Sequence, residues 1–283
     1  MLSYRHSYHA GNFADVVKHV VLVALLQAMT RKPAPCYVQD THAGRGVYAL
    51  DSAEALHGRE FDDGIGRIWQ REDAPPMIQQ YLEVVREWNP GIPSPRYYPG
   101  SPAIAQALLR RQDRLLLTEL HPQDYDELFR EFHSDKRIQI HKQDAYQGLK
   151  AFLPPAEKRG LVLIDPPYER KDEYERVVAG LKTAYAHWSN GVYAIWYPIM
   201  SRGLQTRFLD ACIATGIRKQ LHAEFMIAPF THTQDRQFVG CGVVLVNPPW
   251  KVDVAIEESL RWLREPLQQH AEPNAQLTWL VPE

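Results

Sequence analysis

The strongest constraint in this sequence is a series of short runs that are apolar from end to end, separated by amphipathic stretches. The runs are Cys36–Asp40, Leu115–Leu120, Ile138–His141, Leu161–Asp165 and Val192–Tyr197, followed by Glu224–Pro229 and Val239–Val246. Most lack the polar alternation of a half-exposed strand, and such runs fit strands covered on both faces. Between them Phe13–Met29, Pro102–Arg111, Pro122–Phe132, Glu173–Trp188 and Gly203–Ala214 read as helices. Alternating strands and helices predict an α/β fold built on a doubly wound, parallel sheet. One stretch breaks the rhythm. Residues 50–99 offer no buried strand; they carry Arg59-Glu60, Asp62-Asp63-Gly64, a helix over Ile78–Trp88 and a proline-punctuated end at Pro90, Pro93, Pro95 and Pro99. They read as a mostly helical insertion subdomain within one domain spanning 1–283.

Composition narrows the function classes. The chain of 283 residues has 32 Lys and Arg against 34 Asp and Glu, a formal net charge of −2, which excludes a uniformly basic nucleic-acid coat but leaves room for a local basic patch. The three cysteines, Cys36, Cys212 and Cys241, form no CxxC pair. That excludes a disulfide scaffold and a cysteine-based zinc site, and it suits a reducing compartment. Arg5, His6, His9, Asp15, Lys18 and His19 interrupt the first twenty residues, unlike a signal peptide, and the apolar run Val20–Leu26 is too short to span a bilayer. A soluble cytoplasmic protein, not associated with a membrane, is expected.

Two motifs carry chemistry. The first strand runs through Tyr37-Val38-Gln39-Asp40 into Thr41-His42-Ala43-Gly44-Arg45-Gly46-Val47-Tyr48-Ala49. A glycine turn after a strand lets a nucleotide-like ligand approach the backbone, although a tight turn without a ligand reads the same way. Asp40, Glu119 and Asp144 fall at three successive strand ends. Glu119 could accept both hydroxyls of a ribose, and the Lys142-Gln143-Asp144-Ala145 segment could bond an adenine edge. With no phosphate-cradling loop beside them, the set suits a nucleoside without pyrophosphate.

The second motif is sharper. Gly160-Leu161-Val162-Leu163-Ile164 leads into Asp165-Pro166-Pro167-Tyr168. The exocyclic amine of adenine is a poor nucleophile because its lone pair is delocalised into the ring. A carboxylate and a backbone carbonyl that accept its two N–H bonds pull it toward a reactive, tetrahedral geometry. Prolines bring no competing N–H and stiffen the loop, and an aromatic residue can stack on an extruded base, worth about 1–3 kcal/mol. A strand that merely ends in Pro-Pro is the plain alternative. Asn247-Pro248-Pro249-Trp250 matches a looser form of the motif.

The glycine loop and Asp165-Pro166-Pro167-Tyr168 together resemble class I, S-adenosylmethionine-dependent amino-methyltransferases. Met1-Leu2-Ser3-Tyr4-Arg5-His6-Ser7-Tyr8-His9-Ala10-Gly11-Asn12, Ala14-Asp15-Val16-Val17-Lys18-His19, Asp40-Thr41-His42-Ala43-Gly44 and Tyr98-Pro99-Gly100-Ser101-Pro102 narrow this to the RlmJ family, over nearly the whole chain. That resemblance implies a Rossmann-like fold with a final antiparallel strand and a helical subdomain after the first strand. It implies S-adenosylmethionine as cofactor and N6-methylation of adenine 2030 in 23S rRNA by a monomer. Laid on this sequence, it makes His19, His42, Ser101, Glu119, Asp144, Ala145 and Asp165 cofactor contacts, Asp165 the catalytic residue and Tyr4 a substrate contact. In the implied fold the strand before Asn247 runs antiparallel, so that second motif points away from the ligand edge.

Further readings stand on the residues. Asn12 is placed to cap the helix from Phe13, with Asp15 three positions on. Residues 1–30 are expected to cover the cofactor site. Lys18 and His19 point about 100° apart on a helix, which suits Lys18 for the RNA and His19 for the cofactor; a satisfied buried histidine is the alternative. Pro166 and Tyr168 are expected to meet the target base. His6, His9 and His19 match no zinc spacing, so no metal is expected. Arg110, Arg111 and Arg114 read as a solvated face, and Glu169-Arg170-Lys171-Asp172 as either that or a phosphate contact. Two rival functions remain: a DNA adenine methyltransferase, and a nucleic-acid-binding protein in uptake or catabolism of external DNA.

Overall fold

The computed structural model describes residues 5–230, 238–270 and 274–283, so Tyr4 lies outside the described residues. After α1 (Phe13–Thr30), the chain forms β1 (Tyr37–Asp40), β2 (Val47–Ala49), α2 (Ala53–Gly58), α3 (Ile65–Ile68), α4 (Pro76–Glu87) and β3 (Tyr97–Pro99). It continues as α5 (Ser101–Leu108), β4 (Arg114–Thr118), α6 (Pro122–Phe132), β5 (Ile138–His141), α7 (Ala145–Ala151), β6 (Gly160–Ile164), α8 (Glu173–His187), β7 (Val192–Ile199) and α9 (Arg202–Ile213). The last elements are β8 (Gln220–Met226), β9 (Gly240–Val246), α10 (Val252–Leu263) and β10 (Asn274–Val281).

Eight strands make one sheet in the order β10-β8-β9-β7-β6-β1-β4-β5. The pairings from β5 through β7 are parallel, whereas β9 runs antiparallel to β7 and β8, and β10 antiparallel to β8. The chain reverses its direction of travel across the sheet at β1 and β6. The carboxyl ends of these two strands therefore flank a crevice, the place where open α/β sheets take ligands.

Burial explains the apolar runs: β1, β6 and β9 are buried at every position. Two apolar cores cover the sheet. One holds α1 with residues of α4, α5 and α10; the other holds residues of α7, α8 and α9. Helix α1 is long and apolar enough to cross a membrane, with a mean hydropathy of 1.5, yet 83% of it is buried inside the protein. It is the core helix of the fold. Its start follows the expected capping: Asn12 Oδ1 accepts from Asp15 N at 3.0 Å, and Asp15 Oδ2 accepts from Gly11 N at 2.9 Å.

The sequence reading needs several corrections. Helix α5 stops at Leu108, because Leu109 is extended. Arg110 then turns inward: its guanidinium meets Asp113 and donates to the carbonyls of Thr30, Lys32 and Ala34, bracing the approach to β1 in place of a solvated face. Arg114 pairs with Glu157 and lies over Tyr37. Strand β8 begins at Gln220, four residues before the expected Glu224; the buried Gln220 Nε2 donates to the carbonyls of Cys212 and Ile217. Strand β10 follows β9, so the run Val239–Val246 is not the final strand. β10 is a partly exposed edge with polar residues interleaved, which carries no wholly apolar run.

Residues 53–87 hold helices α2, α3 and α4, and β2 pairs with β3 antiparallel at their base. This segment meets the start of α1 backbone to backbone. Ile65 N donates to Gly11 O at 2.8 Å, and a Cβ on Gly64 would lie 2.0 Å from Gly11 O and 2.5 Å from Asn12 C. Neither partner is a flexible side-chain end, so Gly64→Ala forces the two segments apart. The expected cost is about 1–3 kcal/mol, seen as a lower denaturation midpoint at unchanged slope. An unchanged midpoint would show that this contact contributes nothing to stability.

Candidate active site

A cavity of about 730 Å³ opens at the carboxyl ends of β1, β4, β5 and β6, lined by residues of α1, the glycine loop and the Asp165-Pro166-Pro167-Tyr168 loop. His19, His42, Ser101, Glu119, Asp144, Ala145, Asp165, Lys18, Pro166 and Tyr168 all line it. Residues far apart in the sequence thus share one wall.

The glycine loop is held by its neighbours. Gly44 N donates to Glu119 Oε2 at 2.8 Å, while Glu119 Oε1 accepts from His121 N at 2.7 Å. Each oxygen keeps a second lone pair; burial raises the Glu119 pKa. Both glycines have positive φ, +60° at Gly44 and +83° at Gly46, a conformation that favours residues without a Cβ. Asp40, buried at the end of β1, accepts from His42 N, and burial pushes its pKa up to about 6. Asp144 caps α7, its Oδ1 accepting from Tyr146 N and Gln147 N, and its Oδ2 faces Arg176 at 3.4 Å. Ala145 and Ser101 open α7 and α5.

Two of the histidines that line the cavity, His42 and His19, are neutral because burial disfavours the imidazolium: His42 is pushed down to about 4 and His19 to about 3. His42 Nδ1 lies 2.8 Å from Thr41 Oγ1, and His19 Nδ1 lies 2.7 Å from Tyr98 Oη. His19 Nε2 and Gln143 Nε2 are buried without a hydrogen-bond partner in the protein.

The catalytic-loop candidate is anchored twice. Asp165 Oδ2 accepts from Lys18 Nζ at 2.7 Å, and the same ammonium meets Asp15 Oδ1 at 2.9 Å. Burial works against the charge on Lys18, but the two carboxylates outweigh it and hold the Lys18 pKa above its usual value. Burial likewise opposes ionisation of Asp15, yet His6 and Lys18 hold its pKa well below the carboxylate range. Lys18, expected on the RNA side, is thus 8% exposed and ion-paired to the loop carboxylate, with Trp196 beneath it. Tyr168 adopts φ +52°, and its hydroxyl donates to Trp196 O at 2.7 Å while the ring packs on Tyr174. Arg170 and Asp172, exposed, pair with one another. Among the described residues, no cluster of His, Cys, Asp and Glu could hold a metal ion.

Asp15 and Trp196 belong to this site and were not singled out for it from the sequence. The three-residue spacing of Asp15 and Lys18 on one helix was the available signal; Trp196 gave none beyond its place near the end of an apolar run.

Comparison with known proteins places the whole chain. The family model described as ribosomal RNA large subunit methyltransferase D, RlmJ, matches residues 33–281. Proteins named ribosomal RNA large subunit methyltransferase J from Escherichia coli (strain K12) and Haemophilus influenzae (strain ATCC 51907 / DSM 11121 / KW20 / Rd) are 45% and 44% identical over 283 residues, covering all of each chain. The crystal structure of protein LPL1258 from Legionella pneumophila str. Philadelphia 1 superposes with a TM-score of 0.87 at 36% identity, covering 96% of this chain and 98% of that one. The shared fold, the family model and the full-length relatives agree: the chain belongs to the RlmJ family of ribosomal RNA large subunit methyltransferases.

Proposed function

We propose that this chain transfers the methyl group of S-adenosylmethionine to the exocyclic N6 of an adenine in 23S rRNA, acting in the cytoplasm as a monomer on protein-free RNA or an early assembly intermediate. The observation that carries the reading is the placement of Asp165, directly after β6, in the cavity lined by the glycine loop, Glu119 and Asp144. Family membership supports rRNA as the substrate class; adenine 2030 follows from the same resemblance.

The cavity fits the methyl donor. Glu119 retains lone pairs for ribose hydroxyls, Asp144 and Ala145 stand where an adenine edge would lie, and the unpartnered His19 Nε2 and Gln143 Nε2 leave two buried polar atoms for a ligand to meet. S-adenosylmethionine supplies an electrophilic methyl group on a sulfonium.

The protein's part is orientation. Lys18 takes Oδ2 of Asp165, leaving Oδ1 to accept one N–H of the target amine; the Pro166 carbonyl accepts the other. An ion-paired carboxylate only accepts, so it draws the amine toward tetrahedral geometry and its lone pair out of conjugation with the ring. The base leaves its stack at a cost of a few kcal/mol, and Tyr168, pinned through its hydroxyl to Trp196 O, offers a fixed ring to stack on. Asp165 need not be a strong base, because the amine becomes acidic only once methylated. Tyr4 is assigned to RNA contact, and residues 1–30 and 50–99 to a cover and a helical subdomain around the site.

The direct test is labelled methyl transfer to unmodified 23S rRNA beside duplex and single-stranded DNA, followed by nucleoside identification. N6-methyladenosine confined to the rRNA is expected; label on duplex DNA instead would favour a DNA methyltransferase. Asp165→Ala should lower kcat about 10²–10⁴-fold while S-adenosylmethionine still binds; retained transfer would sink the assignment. Lys18→Met leaves two carboxylates without their shared cation and should cost about 3–5 kcal/mol of stability. Since the folded-state pKa of Asp15 is depressed, that contribution is full above its ordinary value of 3.8 and is lost as pH falls through the lower folded value. The stability gap between wild type and Lys18→Met is therefore full at neutral pH and narrows in acid. A gap that widened in acid would contradict this account.

A further inference from the structure

A chain of hydrogen bonds enters the cofactor pocket from the helices between β2 and β3. Tyr81 on α4 and Tyr98 in β3 are completely buried, and His19 on α1 nearly so. Tyr98 Oη lies 3.0 Å from Tyr81 Oη and 2.7 Å from His19 Nδ1, and its ring stacks on the imidazole at 5.5 Å. Two tautomers of His19 fit these distances. In one, Tyr81 donates to Tyr98, Tyr98 donates to Nδ1, and the imidazole carries its proton on Nε2. In the other Nδ1–H donates to Tyr98; the two hydroxyls then share one remaining bond, and the second hydroxyl proton, on Tyr81 or on Tyr98, is left buried without an acceptor.

A buried hydroxyl proton without an acceptor costs its desolvation with no return. Either Nδ1–H arrangement strands a tyrosine proton away from the cavity and leaves the buried Nε2 without a donor as well; the first arrangement leaves every tyrosine proton accepted. Its single unused donor is Nε2–H of His19, a residue in the cavity wall whose Nε2 has no protein partner. Because burial keeps this histidine neutral, the network decides a tautomer and not a charge.

We propose that Tyr81 and Tyr98 are positioning residues that fix His19 as the Nε2–H tautomer, so that it donates to the carboxylate at the methionyl end of S-adenosylmethionine. The proposal rests on the methyl-donor reading above. The acceptors Glu119 and Asp144 suit the hydroxyls and amine of the adenosine end. His19 lines the cavity together with Ser101, the first residue of α5, where backbone N–H groups and the helix dipole also favour an anion. The helices between β2 and β3 thereby act on the cofactor site through one relay.

Long-range ¹H–¹⁵N correlation NMR on protein labelled at histidine reads the tautomer in the wild type, with no variant needed. His19 as Nε2–H is expected. Tyr98→Phe should then weaken S-adenosylhomocysteine about tenfold and raise the KM for S-adenosylmethionine at nearly constant kcat, the pattern of lost ground-state binding. 5′-Methylthioadenosine, which lacks the carboxylate, should bind both proteins within about twofold by the same reasoning. An Nδ1–H tautomer in a wild type that binds both ligands, or equal losses for both ligands, overturns the relay alone. A wild type that binds neither ligand overturns the methyl-donor reading and the relay with it.

Discussion

One buried ammonium holds the site together. Lys18 Nζ sits between Asp15 and Asp165, on a helix whose neighbouring residues are almost entirely apolar. Burying a single cation there would be prohibitive; two carboxylates within 3 Å turn the cost into a constraint on geometry. Asp15 is committed on every side, since it also accepts from Gly11 N and meets His6 Nε2 at 2.9 Å. The entry to α1, the helix itself and the catalytic-loop candidate are therefore one electrostatic unit. Asp165 cannot swing away without leaving the buried Lys18 with one carboxylate in place of two, which is the kind of pre-organisation that alignment of a weak nucleophile demands.

The sheet supplies the other half of that pre-organisation. Parallel strands bring Asp40 and Asp165 to neighbouring ends on either side of the reversal in strand order, and β4 and β5 add the loops bearing Glu119 and Asp144. The helices between β2 and β3 are fastened to the start of α1 by close backbone approach at Gly64 and by Glu60, whose carboxylate meets His9 Nδ1 and Asn12 Nδ2 at 2.9 Å. They share the apolar core with α1 rather than forming a separate one. A motion of that segment would thus be felt at the helix that carries Lys18 and His19.

Much of this was legible in the chain because burial on both faces writes itself as unbroken apolar runs. β1, β6 and β9 were readable for that reason, and Asp165-Pro166-Pro167-Tyr168 for the chemistry of its residue types. Features that depend on exposure or on distance were not. β10 is an edge strand with interleaved polar residues, and β2 and β3 are three residues each. Lys18 and Asp165 are 147 positions apart, so no local pattern could announce their pairing. Arg110 looked solvated beside Arg111 because a run of like charges does not show that one guanidinium turns back onto carbonyls nearly 80 residues away.

Asn247-Pro248-Pro249-Trp250 shows why residue types alone do not make a site. It follows β9, whose last residue, Val246, pairs with Gln220 at the start of β8 and Tyr193 near the start of β7. The motif consequently lies at the opposite edge of the sheet from Asp165. There the Asn247 amide is spent on the carbonyls of Ser189 and Gly191, and Trp250 is 82% exposed. Two tetrapeptides of similar residue types differ in meaning because their strands run in opposite directions. An amide or carboxylate before Pro-Pro can reach the cavity only where strand polarity delivers it to that edge of the sheet, as it delivers Asp165 beside the glycine loop and the Lys18 cation that fixes it.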